Sequence, residues 1–402
     1  MPRVVLGVGA GIAAYKSCEL LRLLTQAGHR VRVVPTPDAL RFVGEATWAA
    51  LSGEPVTTDV WTGVAEVPHV RIGQSADLVI VAPATADLLA RAAAGMAGDL
   101  LAATLLTARC PVLYAPAMHT EMWEHPATQA NVTLLRSRGA MVLEPAVGRL
   151  TGADSGAGRL PEPADIFAVA TLLLAGTRQD LAGRRVVVSA GGTREEIDPV
   201  RFIGNWSTGT QGYALARTAV ARGAEATVVA ANVALPDPAG AKVARVVSAR
   251  EMRDAVLAAA EGADAVVMAA AVADYRPQAR SEAKIKKDGQ PPEPLRLTEN
   301  PDILAELAAH RAGRAGHVDG KHQILVGFAA ETDTSPASAW AKLARKGCDL
   351  LVVNPVGGGL GFGTADNEAV VFGADGSLTT IARGPKEALA DVVWDLVAAR
   401  LE

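Results

Sequence analysis

Two small-residue loops in the middle of the chain have the composition of an anion-binding site. The apolar run Val186–Val188 predicts a buried parallel strand, and it breaks at Gly191 and Gly192, where the backbone can turn tightly against a ligand. The polar loop 205–210 follows, and a helix is predicted to begin near Gly212. Backbone N–H groups and hydroxyls at a helix N-terminus bind anions, so the spacing indicates a phosphate site. An ordinary strand–turn–helix crossover is the alternative.

The start of the chain has a related pattern. A predicted strand over residues 3–8 leads into Gly9-x-Gly11-x-x-Ala14, a loose match to the dinucleotide-binding glycine pattern. The next predicted strand ends in Val34-Pro35-Thr36-Pro37, without the acidic residue that grips a ribose. Hydroxyl and backbone donors suit a phosphate better than a ribose diol. A mononucleotide such as a flavin phosphate therefore fits better than NAD, with an NAD-dependent dehydrogenase as the alternative class.

Two further strands are predicted, and the loop after the first could contact a cofactor. Residues 77–82 predict a strand followed by the loop 83–87, and residues 111–115 predict a strand leading into the segment 116–123. Ligands of open α/β sheets gather outside the carboxyl ends of the strands, so the loop 83–87 is a candidate cofactor contact. Between the two strands, residues 90–106 predict one Ala-rich helix. The Gly-rich segment 148–160 is predicted to be a loop that could act as a flap.

The alternation of strands and helices resumes after residue 180. Strands are predicted at 185–190, 225–230, 264–269, 323–328, 349–354 and 369–373. Helices are predicted at 213–222, 249–260, 301–308, 335–346 and 386–401. The segment 272–297 is too polar and proline-rich for the sheet. The fold class is therefore α/β with two doubly wound Rossmann-like domains, 1–176 and 177–402, joined by a linker at 175–180.

Bulk composition excludes several classes of partner. The chain has 402 residues, enough for two domains, and its net charge of −4 and 4% aromatic content do not favour nucleic acid. Three distant cysteines show no metal-ligand spacing and fit a reducing cytoplasm. No stretch is long and apolar enough to span a bilayer. We therefore expect a soluble cytoplasmic protein that acts on small molecules.

Several of these stretches together resemble one family, the bifunctional phosphopantothenoylcysteine decarboxylase / phosphopantothenate–cysteine ligase of coenzyme A biosynthesis. The resemblance covers nearly the whole chain and keeps the family's order, with the decarboxylase first. In the first half it is carried by 11–16, His69, 82–86, 116–118 and 122–123. In the second half it is carried by 190–195, 197–201, 270–275, 284–287 and 327–332. It implies an N-terminal flavodoxin-like flavoprotein domain and a C-terminal nucleotide-binding ligase domain.

The resemblance implies FMN-dependent decarboxylation in residues 1–176. Oxidation of the substrate thiol to a thioaldehyde creates the electron sink that loss of CO2 requires, and a flavin can take and return the hydride. His69 matches the family's essential histidine, although by position alone a structural histidine would be the more common reading. The implied FMN contacts are Gly11, Ile12, Ala13, Thr36, Pro83, Ala84, Thr85 and Met118.

Two positions depart from the family pattern in this half. His119 stands where the family usually has an asparagine that binds the substrate carboxylate, and Gly152 stands where its flap usually has a cysteine. We expect an active enzyme with His119 in the asparagine's role and a substituted acid in the reductive step. Cys110 is expected to be a small buried hydrophobe rather than the replacement. A non-enzymatic flavoprotein-like subunit is the alternative for residues 1–175.

For the second half the resemblance implies a CTP-dependent ligase that forms an acyl-cytidylate, which the amine of cysteine then displaces. Lysines and Mg2+ are expected around the phosphates, and the sequence does not identify the metal ligands. The implied catalytic residues are Asn205, which would hold the acyl-cytidylate, and Lys284. The implied nucleotide-binding residues are Ala270, Asp274, Lys284, Phe328, Lys342 and Lys346. Without the resemblance, these lysines would be read as solvated surface.

The resemblance also implies an assembly. Family members form dodecamers from decarboxylase trimers and ligase dimers, so a homo-oligomer is expected. The expected small-molecule substrates are 4′-phosphopantothenate, cysteine and CTP, with FMN and Mg2+ as cofactors. No nucleic acid or membrane partner is expected.

Overall fold

The computed structural model describes residues 1–59, 61, 67–150, 154–176, 178–286, 294–314, 322–331, 335–355 and 366–401. It divides the chain into two compact units. The first comprises Met1–Gly183 with Val220–Gly223 and Pro238–Ala241, and the second comprises Arg184–Ala219, Ala224–Asp237 and Lys242–Glu402. Gly152, Lys287 and Thr332 lie outside the described residues. The predicted domain boundary at 176/177 stays a prediction.

A five-stranded parallel sheet forms the centre of the first unit in its described residues. Its order, β2-β1-β3-β4-β5, is the flavodoxin-like order. Strand β3 is buried along its whole length, as expected for a parallel strand covered on both faces. A separate antiparallel pair joins β6 and β7. The strands are β1 (Arg3–Val8), β2 (Arg30–Pro35), β3 (Leu78–Ala84), β4 (Val112–Pro116), β5 (Met141–Val142), β6 (Ala146–Arg149) and β7 (Ser155–Arg159).

Helices connect these strands. Helix α1 buries Leu20, Leu21 and Leu24 at helical spacing, which gives it one apolar face. The helices are α1 (Ala14–Gln26), α2 (Glu45–Ser52), α3 (Pro68–Ser75), α4 (Ala86–Ala94), α5 (Leu100–Thr107), α6 (Thr120–Glu124), α7 (Pro126–Ser137) and α8 (Pro163–Leu174), with a 3-10 helix at Pro37–Arg41.

Two predictions for the first unit were wrong in detail. The single helix predicted over 90–106 is two helices, because α4 ends at Gly95 in the left-handed conformation and Asp99 starts α5 by accepting a hydrogen bond from the Ala102 N–H at 2.8 Å. The Gly-rich segment predicted to be a loop contains the β6–β7 hairpin, in which Gly148 pairs with Gly156.

The second unit contains an eight-stranded sheet among its described residues, in the order β12-β11-β8-β13-β16-β17-β18-β19. The first six positions follow the 3-2-1-4-5-6 Rossmann order, and β18 and β19 extend it as antiparallel strands. The pairs β9–β10 and β14–β15 form small separate sheets. The strands are β8 (Arg185–Gly191), β9 (Arg194–Asp198), β10 (Arg201–Gly204), β11 (Glu225–Ala231), β12 (Ala241–Val246), β13 (Ala265–Met268), β14 (Tyr275–Pro277), β15 (Leu297–Glu299), β16 (Ile324–Glu331), β17 (Leu350–Pro355), β18 (Asp366–Gly373) and β19 (Leu378–Pro385).

The helices of this unit cover a core built from buried aliphatic side chains of β8, β13, β16 and β17. Trp340 on α12 packs edge-on against Phe372 of β18, with ring centroids 5.1 Å apart. The helices are α9 (Thr210–Ala221), α10 (Ala249–Ala259), α11 (Ile303–Arg314), α12 (Pro336–Lys346) and α13 (Lys386–Leu401). No described helix has the length and hydropathy that crossing a bilayer requires.

The α/β class and the two doubly wound sheets are confirmed. The prediction missed β9, β10, β12, β14, β15 and β19, and it ended α11 six residues too early, at Ala308 instead of Arg314. Strands β9, β10 and β12 are only four to six residues long, and β10 and β12 contain no buried residue, so their hydrophobic pattern is a weak signal.

Candidate functional site

Hydrogen bonds join the loops at the carboxyl edge of the first sheet. The Thr36 N–H donates to the Val8 carbonyl at 2.9 Å, which connects the ends of β2 and β1. The Gly9 N–H donates to the Pro83 carbonyl at 3.0 Å, and the Ala117 N–H donates to the Ala84 carbonyl at 3.1 Å. The Gly9 bond crosses from β1 to β3, where the strand order reverses and ligands of such folds bind. The predicted contacts at 11–13, Thr36, 83–85 and Met118 therefore lie along one edge.

The start of α1 provides open space and backbone donors at this edge. A side-chain carbon added to Gly9 would lie 2.5 Å from the Pro83 carbonyl oxygen, whereas one added to Gly11 would meet no atom within 4 Å. No side chain caps the helix at Ala13. In the described residues, the N–H groups of Gly11, Ile12 and Ala13 donate to no other group. These are the properties of an anion cradle.

The two predicted threonines differ in availability. The Thr36 side chain is buried, and among the described residues its hydroxyl has no hydrogen-bond partner. A buried hydroxyl without a partner is costly, so a ligand oxygen at this point would remove the cost. The Thr85 hydroxyl already accepts a hydrogen bond from the Leu88 N–H at 3.3 Å and caps α4. The open Gly11 loop and the unsatisfied Thr36 hydroxyl fit a phosphorylated cofactor.

His69 lies in the first turn of α3, directly after Pro68. Helix α3 packs on α5, where the Thr107 hydroxyl donates to the His69 carbonyl at 2.8 Å. The imidazole Nδ1 of His69 is buried and has no partner among the described residues. Val67, two residues before His69, has a φ of 45°, which is a strained conformation for a β-branched residue. No described hydrogen bond links His69 to the edge formed by Gly9, Thr36 and the loop 83–85.

The segment 118–120 is held against the β6–β7 hairpin. The Met118 N–H donates to the Gly158 carbonyl at 2.9 Å, and a side-chain carbon at Gly158 would lie 2.2 Å from the Met118 carbonyl oxygen. His119 begins α6 with a side chain that is 45% exposed, and its Nδ1 lies 3.8 Å from the Glu121 carboxylate. The imidazole of His119 is therefore accessible to a substrate.

In the second unit, a cavity of about 440 Å³ lies at the carboxyl ends of β13 and β16. Five of the six residues predicted to bind the nucleotide line it: Ala270, Asp274, Phe328, Lys342 and Lys346. Lys284 does not line it. The Asn205 amide donates to the Val272 carbonyl at 3.1 Å, and Val272 is a lining residue. The structure thus brings Asn205 beside the cavity.

Both cavity lysines are on α12, and each is paired with a carboxylate. The Lys342 ammonium lies 2.6 Å from the Glu331 carboxylate, and the Lys346 ammonium lies 2.6 Å from the Asp302 carboxylate. All four side chains are partly exposed, so these ion pairs are weak. An incoming phosphate can therefore take over the lysines at small cost.

Lys284 lies in a different environment, next to a buried carboxylate. Asp198 is fully buried and accepts hydrogen bonds from the N–H groups of Val200, Arg201 and Ile285 and from the Arg201 guanidinium. The Arg201 hydrogen bond is the main reason that the pKa of Asp198 lies well below its ordinary value. Arg201 also donates to the Ile285 carbonyl at 2.7 Å. These bonds fix the backbone directly after Lys284.

The predicted double-glycine turn forms after β8. Gly191 has a φ of 84°, and a side-chain carbon there would lie 2.0 Å from the Ala231 carbonyl oxygen, so only glycine fits. The amide of Asn232 donates to the Gly192 carbonyl at 2.9 Å. In the following loop the hydroxyls of Thr208 and Thr210 are 2.7 Å apart and bond each other. The predicted phosphate position at this helix start stays a prediction.

Sequence reasoning missed the segment 300–302, which lines one side of the cavity in the second unit. The Asn300 amide donates to the Ala273 carbonyl and the Asn300 N–H donates to the Asp274 carbonyl, both at 2.8 Å. Asp302 then starts α11 by accepting from the Ala305 N–H at 3.2 Å. The order Asn-Pro-Asp before an apolar periodic run is a helix-start signal that could have identified this segment.

Metal ligation was left open by the sequence. Within the described ranges, no group of three or more His, Cys, Asp or Glu side chains could hold a metal ion. The carboxylates nearest the cavity lysines, Glu331 and Asp302, are engaged with them. These residues do not fit a metal site built by the protein alone.

Two family models match adjacent parts of the chain. The model described as Flavoprotein matches residues 1–174, and the model described as DNA/pantothenate metabolism flavoprotein C-terminal domain matches residues 181–401. A solved structure of the C-terminal domain of the coenzyme A biosynthesis bifunctional protein CoaBC is 32% identical, covers 55% of this chain and 97% of its own, and has a TM-score of 0.46.

Curated relatives match over almost the full length. The coenzyme A biosynthesis bifunctional protein CoaBC of Mycobacterium tuberculosis is 58% identical over 408 residues, covering 99% of this chain and 97% of the relative. That of Vibrio cholerae is 41% identical over 399 residues, covering 98% and 97%. The chain therefore belongs to the family of the coenzyme A biosynthesis bifunctional protein CoaBC.

Proposed function

We propose that this chain ligates cysteine to 4′-phosphopantothenate at the expense of CTP and decarboxylates the product with FMN. One observation carries the proposal: five residues predicted to bind a nucleotide, from three separate segments of the second unit, line a single cavity at the carboxyl ends of β13 and β16. The open, hydrogen-bond-deficient edge of the first sheet supports the flavin part. The domain division 1–176 and 177–402 is part of the proposal.

In the first unit, the backbone of Gly11, Ile12 and Ala13 and the Thr36 hydroxyl would hold the phosphorylated end of FMN. Pro83, Ala84, Thr85 and Met118 would complete its contacts. When bound, FMN supplies the two-electron acceptor and donor that a redox-neutral decarboxylation of a cysteinyl carboxylate needs. The geometry of this edge supports the assignment because donors and space converge where no described side chain fills them.

His69 would handle a proton of the substrate, and the accessible imidazole of His119 would bind the carboxylate that is lost. The buried Nδ1 of His69 has no hydrogen-bond partner among the described residues, so a bound ligand can supply one. Gly152 lies outside the described residues, so the acid of the reductive step is not assigned. Burial raises the pKa of the Cys18, Cys110 and Cys348 thiols, that of Cys348 to about 11, which argues against any of them as that acid.

In the second unit, Lys342 and Lys346 would bind the triphosphate by leaving their carboxylate partners. Asp274 and Phe328 would contact the ribose or base, and Ala270 would line the site. Asn205 would donate to an acyl oxygen of the cytidylate, since an amide stays neutral. Lys284 would reach the phosphates from the segment fixed by Asp198. Mg2+ would accompany CTP with phosphate and water oxygens as ligands.

We extend the proposal to the assembly and location that the resemblance implies, a homo-oligomer in the cytoplasm built from decarboxylase trimers and ligase dimers. Support comes from large apolar side chains that the single chain leaves exposed. Ile12 is 73% exposed and Tyr15 is 60% exposed. Light scattering of the purified protein tests the assembly, and a monomer would contradict it.

The function is tested with one preparation. The purified protein should absorb as a flavoprotein in the visible range. With 4′-phosphopantothenate, CTP, Mg2+ and cysteine it should release pyrophosphate and then CO2. The variant His69→Gln should still release pyrophosphate but not CO2. A colourless protein that does not consume CTP would rule out both halves, and reduction of NAD would favour the dehydrogenase alternative.

A further inference from the structure

A second cavity of the first unit has no part in the proposed reactions. It encloses about 540 Å³, a volume typical of ligand sites, and it lies between the amino-terminal halves of β1 and β2 and the helix α3. The proposed FMN site lies at the opposite ends of these strands, their carboxyl ends. The two features are therefore separate.

Arginines dominate the wall of this cavity. Arg3, Arg30, Arg32 and Arg71 line it, and Glu54 is the single carboxylate among the described residues that line it. Arg3 and Arg30 are register partners on β1 and β2, and Arg30 and Arg32 are two residues apart and so lie on one face of the sheet. Arg71 reaches the cavity from α3. Three structural elements thus direct guanidinium groups to one space.

Two described carboxylates lie near the cavity arginines. Glu54 lies 2.7 Å from the Arg30 guanidinium. Asp77, outside the lining, accepts a hydrogen bond from the Arg3 N–H at 2.7 Å and lies 3.9 Å from its Nε. These two carboxylates thus pair with Arg30 and Arg3, and neither is paired with Arg32.

Among the four cavity arginines, Arg32 has a buried side-chain nitrogen, Nε, that lacks a hydrogen-bond partner among the described residues. Burial, followed by the positive charge of Arg71, lowers the pKa of its guanidinium, which still remains charged. A buried donor on a charged group beside like charges is unfavourable unless an anion completes the site.

We propose that this cavity is a binding site for a small molecule that carries two or more phosphate groups. Guanidinium forks bind phosphate oxygens in pairs, and several of them converging on one space match several charged oxygens better than one carboxylate. The volume accommodates a ligand of nucleotide size. Because Arg71 and His69 are two residues apart on α3, occupancy of the site acts on the helix that carries His69.

Isothermal titration of the full-length protein with sodium tripolyphosphate at constant ionic strength tests the site. The variant Lys342→Ala/Lys346→Ala, saturated with FMN, serves as the background, because the substitutions remove the lysines of the proposed CTP site and FMN occupies the phosphate cradle of the first sheet. In that background, Arg32→Gln and Arg71→Gln should each weaken binding about tenfold or more. Glu54→Gln should strengthen binding, since it removes the one lining carboxylate. Arg41→Gln, with a side chain 81% exposed on the 3-10 helix, is the matched control and should change nothing.

Several results would overturn the proposal. One is that the arginine variants, shown to be folded by circular dichroism, bind tripolyphosphate as the background does. Another is equal binding of citrate and tripolyphosphate, which would show a general anion patch. A third is a changed oligomer mass for Arg32→Gln with unchanged binding, which would make the arginines a subunit contact. If Arg32→Gln does not fold, Arg30→Gln replaces it, because the Arg30 side chain is 69% exposed. If the proposed ligase site is wrong, titration of the unaltered protein with tripolyphosphate will not show the additional binding at the CTP site, whatever the arginine variants do.

Discussion

The candidate sites of the two units bind anions by different means. At the edge of the first sheet, the donors are backbone N–H groups at the start of α1 and the buried hydroxyl of Thr36. In the second unit, the cavity presents the ammonium groups of Lys342 and Lys346, each already paired with a carboxylate. The first site is unsatisfied without its ligand, and the second is satisfied by its own side chains.

This difference matches a resident cofactor in one unit and a substrate that turns over in the other. An unsatisfied buried hydroxyl raises the free energy of the empty site, which favours keeping the ligand. Partly exposed ion pairs contribute only about 0–1 kcal/mol each, so they can be exchanged for phosphate contacts and re-formed in every cycle. The first arrangement favours tight binding, and the second favours release.

The largest effect is expected for Lys342→Ala. Loss of a charge that meets the developing charge on the phosphates should lower kcat/KM for CTP by about 100- to 1,000-fold, measured as pyrophosphate release. Flavin absorption and decarboxylation of added 4′-phosphopantothenoylcysteine should be unchanged. Arg345→Ala is the matched control, because Arg345 is exposed on the same helix. A similar loss in both variants would show that α12 acts only as structure.

Two glycine substitutions in the first unit distinguish an effect on stability from an effect on FMN binding. Gly9→Ala should destabilise the unit by about 1–3 kcal/mol because its side chain would lie 2.5 Å from the Pro83 carbonyl oxygen. Gly11→Ala should leave the stability of the flavin-free protein unchanged but weaken FMN binding, because its methyl group would enter the cradle. Thermal unfolding and flavin titration of both variants measure this. Equal flavin affinity in Gly11→Ala and the unaltered protein would place the phosphate elsewhere.

The two threonines provide a smaller and sharper contrast. Thr36→Val removes a hydroxyl that lacks a partner, so it should not destabilise the flavin-free protein, and it should weaken FMN binding by about tenfold. Thr85→Val removes the cap of α4 and should lower the free energy of unfolding by about 1 kcal/mol. Chemical denaturation of flavin-free protein and flavin titration distinguish them. If Thr36→Val lost stability but kept its affinity for flavin, the prediction for Thr36 would be wrong.

The smallest expected effect is a pH dependence in the second unit. The pKa of Asp198 is depressed in the folded state, chiefly by its hydrogen bond to Arg201, so its ionised form stabilises the fold above the ordinary carboxyl range. This stabilisation should decrease as pH falls below about 4 towards the lower folded-state pKa. Unfolding curves between about pH 2 and 7 should show this component in the unaltered protein and a weaker one in Asp198→Asn. Parallel curves would show that Asp198 does not contribute.

Short-range sequence signals predicted the parts of the site that depend on local chemistry. Gly191 and Gly192 indicated the turn after β8, and the structure requires glycine at Gly191 because of its positive φ and the nearby Ala231 carbonyl. The lysines at i and i+4 on α12 were predicted to share a helix face, and both line the cavity. Asn300 and Asp302 were missed because their places at the cavity depend on contacts with residues far away in the sequence. Asn300 donates hydrogen bonds to the carbonyls of Ala273 and Asp274, and Asp302 pairs with Lys346.

The prediction of one helix over 90–106 failed because the local pattern is ambiguous. The Ala-rich run 90–106 reads as one helix, but the caps at Gly95 and Asp99 divide it. Local pattern also could not place Lys284, whose predicted role at the nucleotide stays a prediction: hydrogen bonds from the Arg201 guanidinium to the Ile285 carbonyl and from the Ile285 N–H to Asp198 hold its segment outside the cavity lining. Those contacts join residues more than 80 positions apart, which periodicity does not register.

The sequence by itself determined the α/β class, the two sheets, the glycine turns and the family, because these depend on residue type, period and motif. Only the tertiary structure decided which side chains are satisfied. It paired Lys342 with Glu331, left the Thr36 hydroxyl without a described partner and gathered four arginines around one cavity. Hydrogen bonding and charge balance depend on distances between residues far apart in the chain, and those distances exist only once the chain has folded.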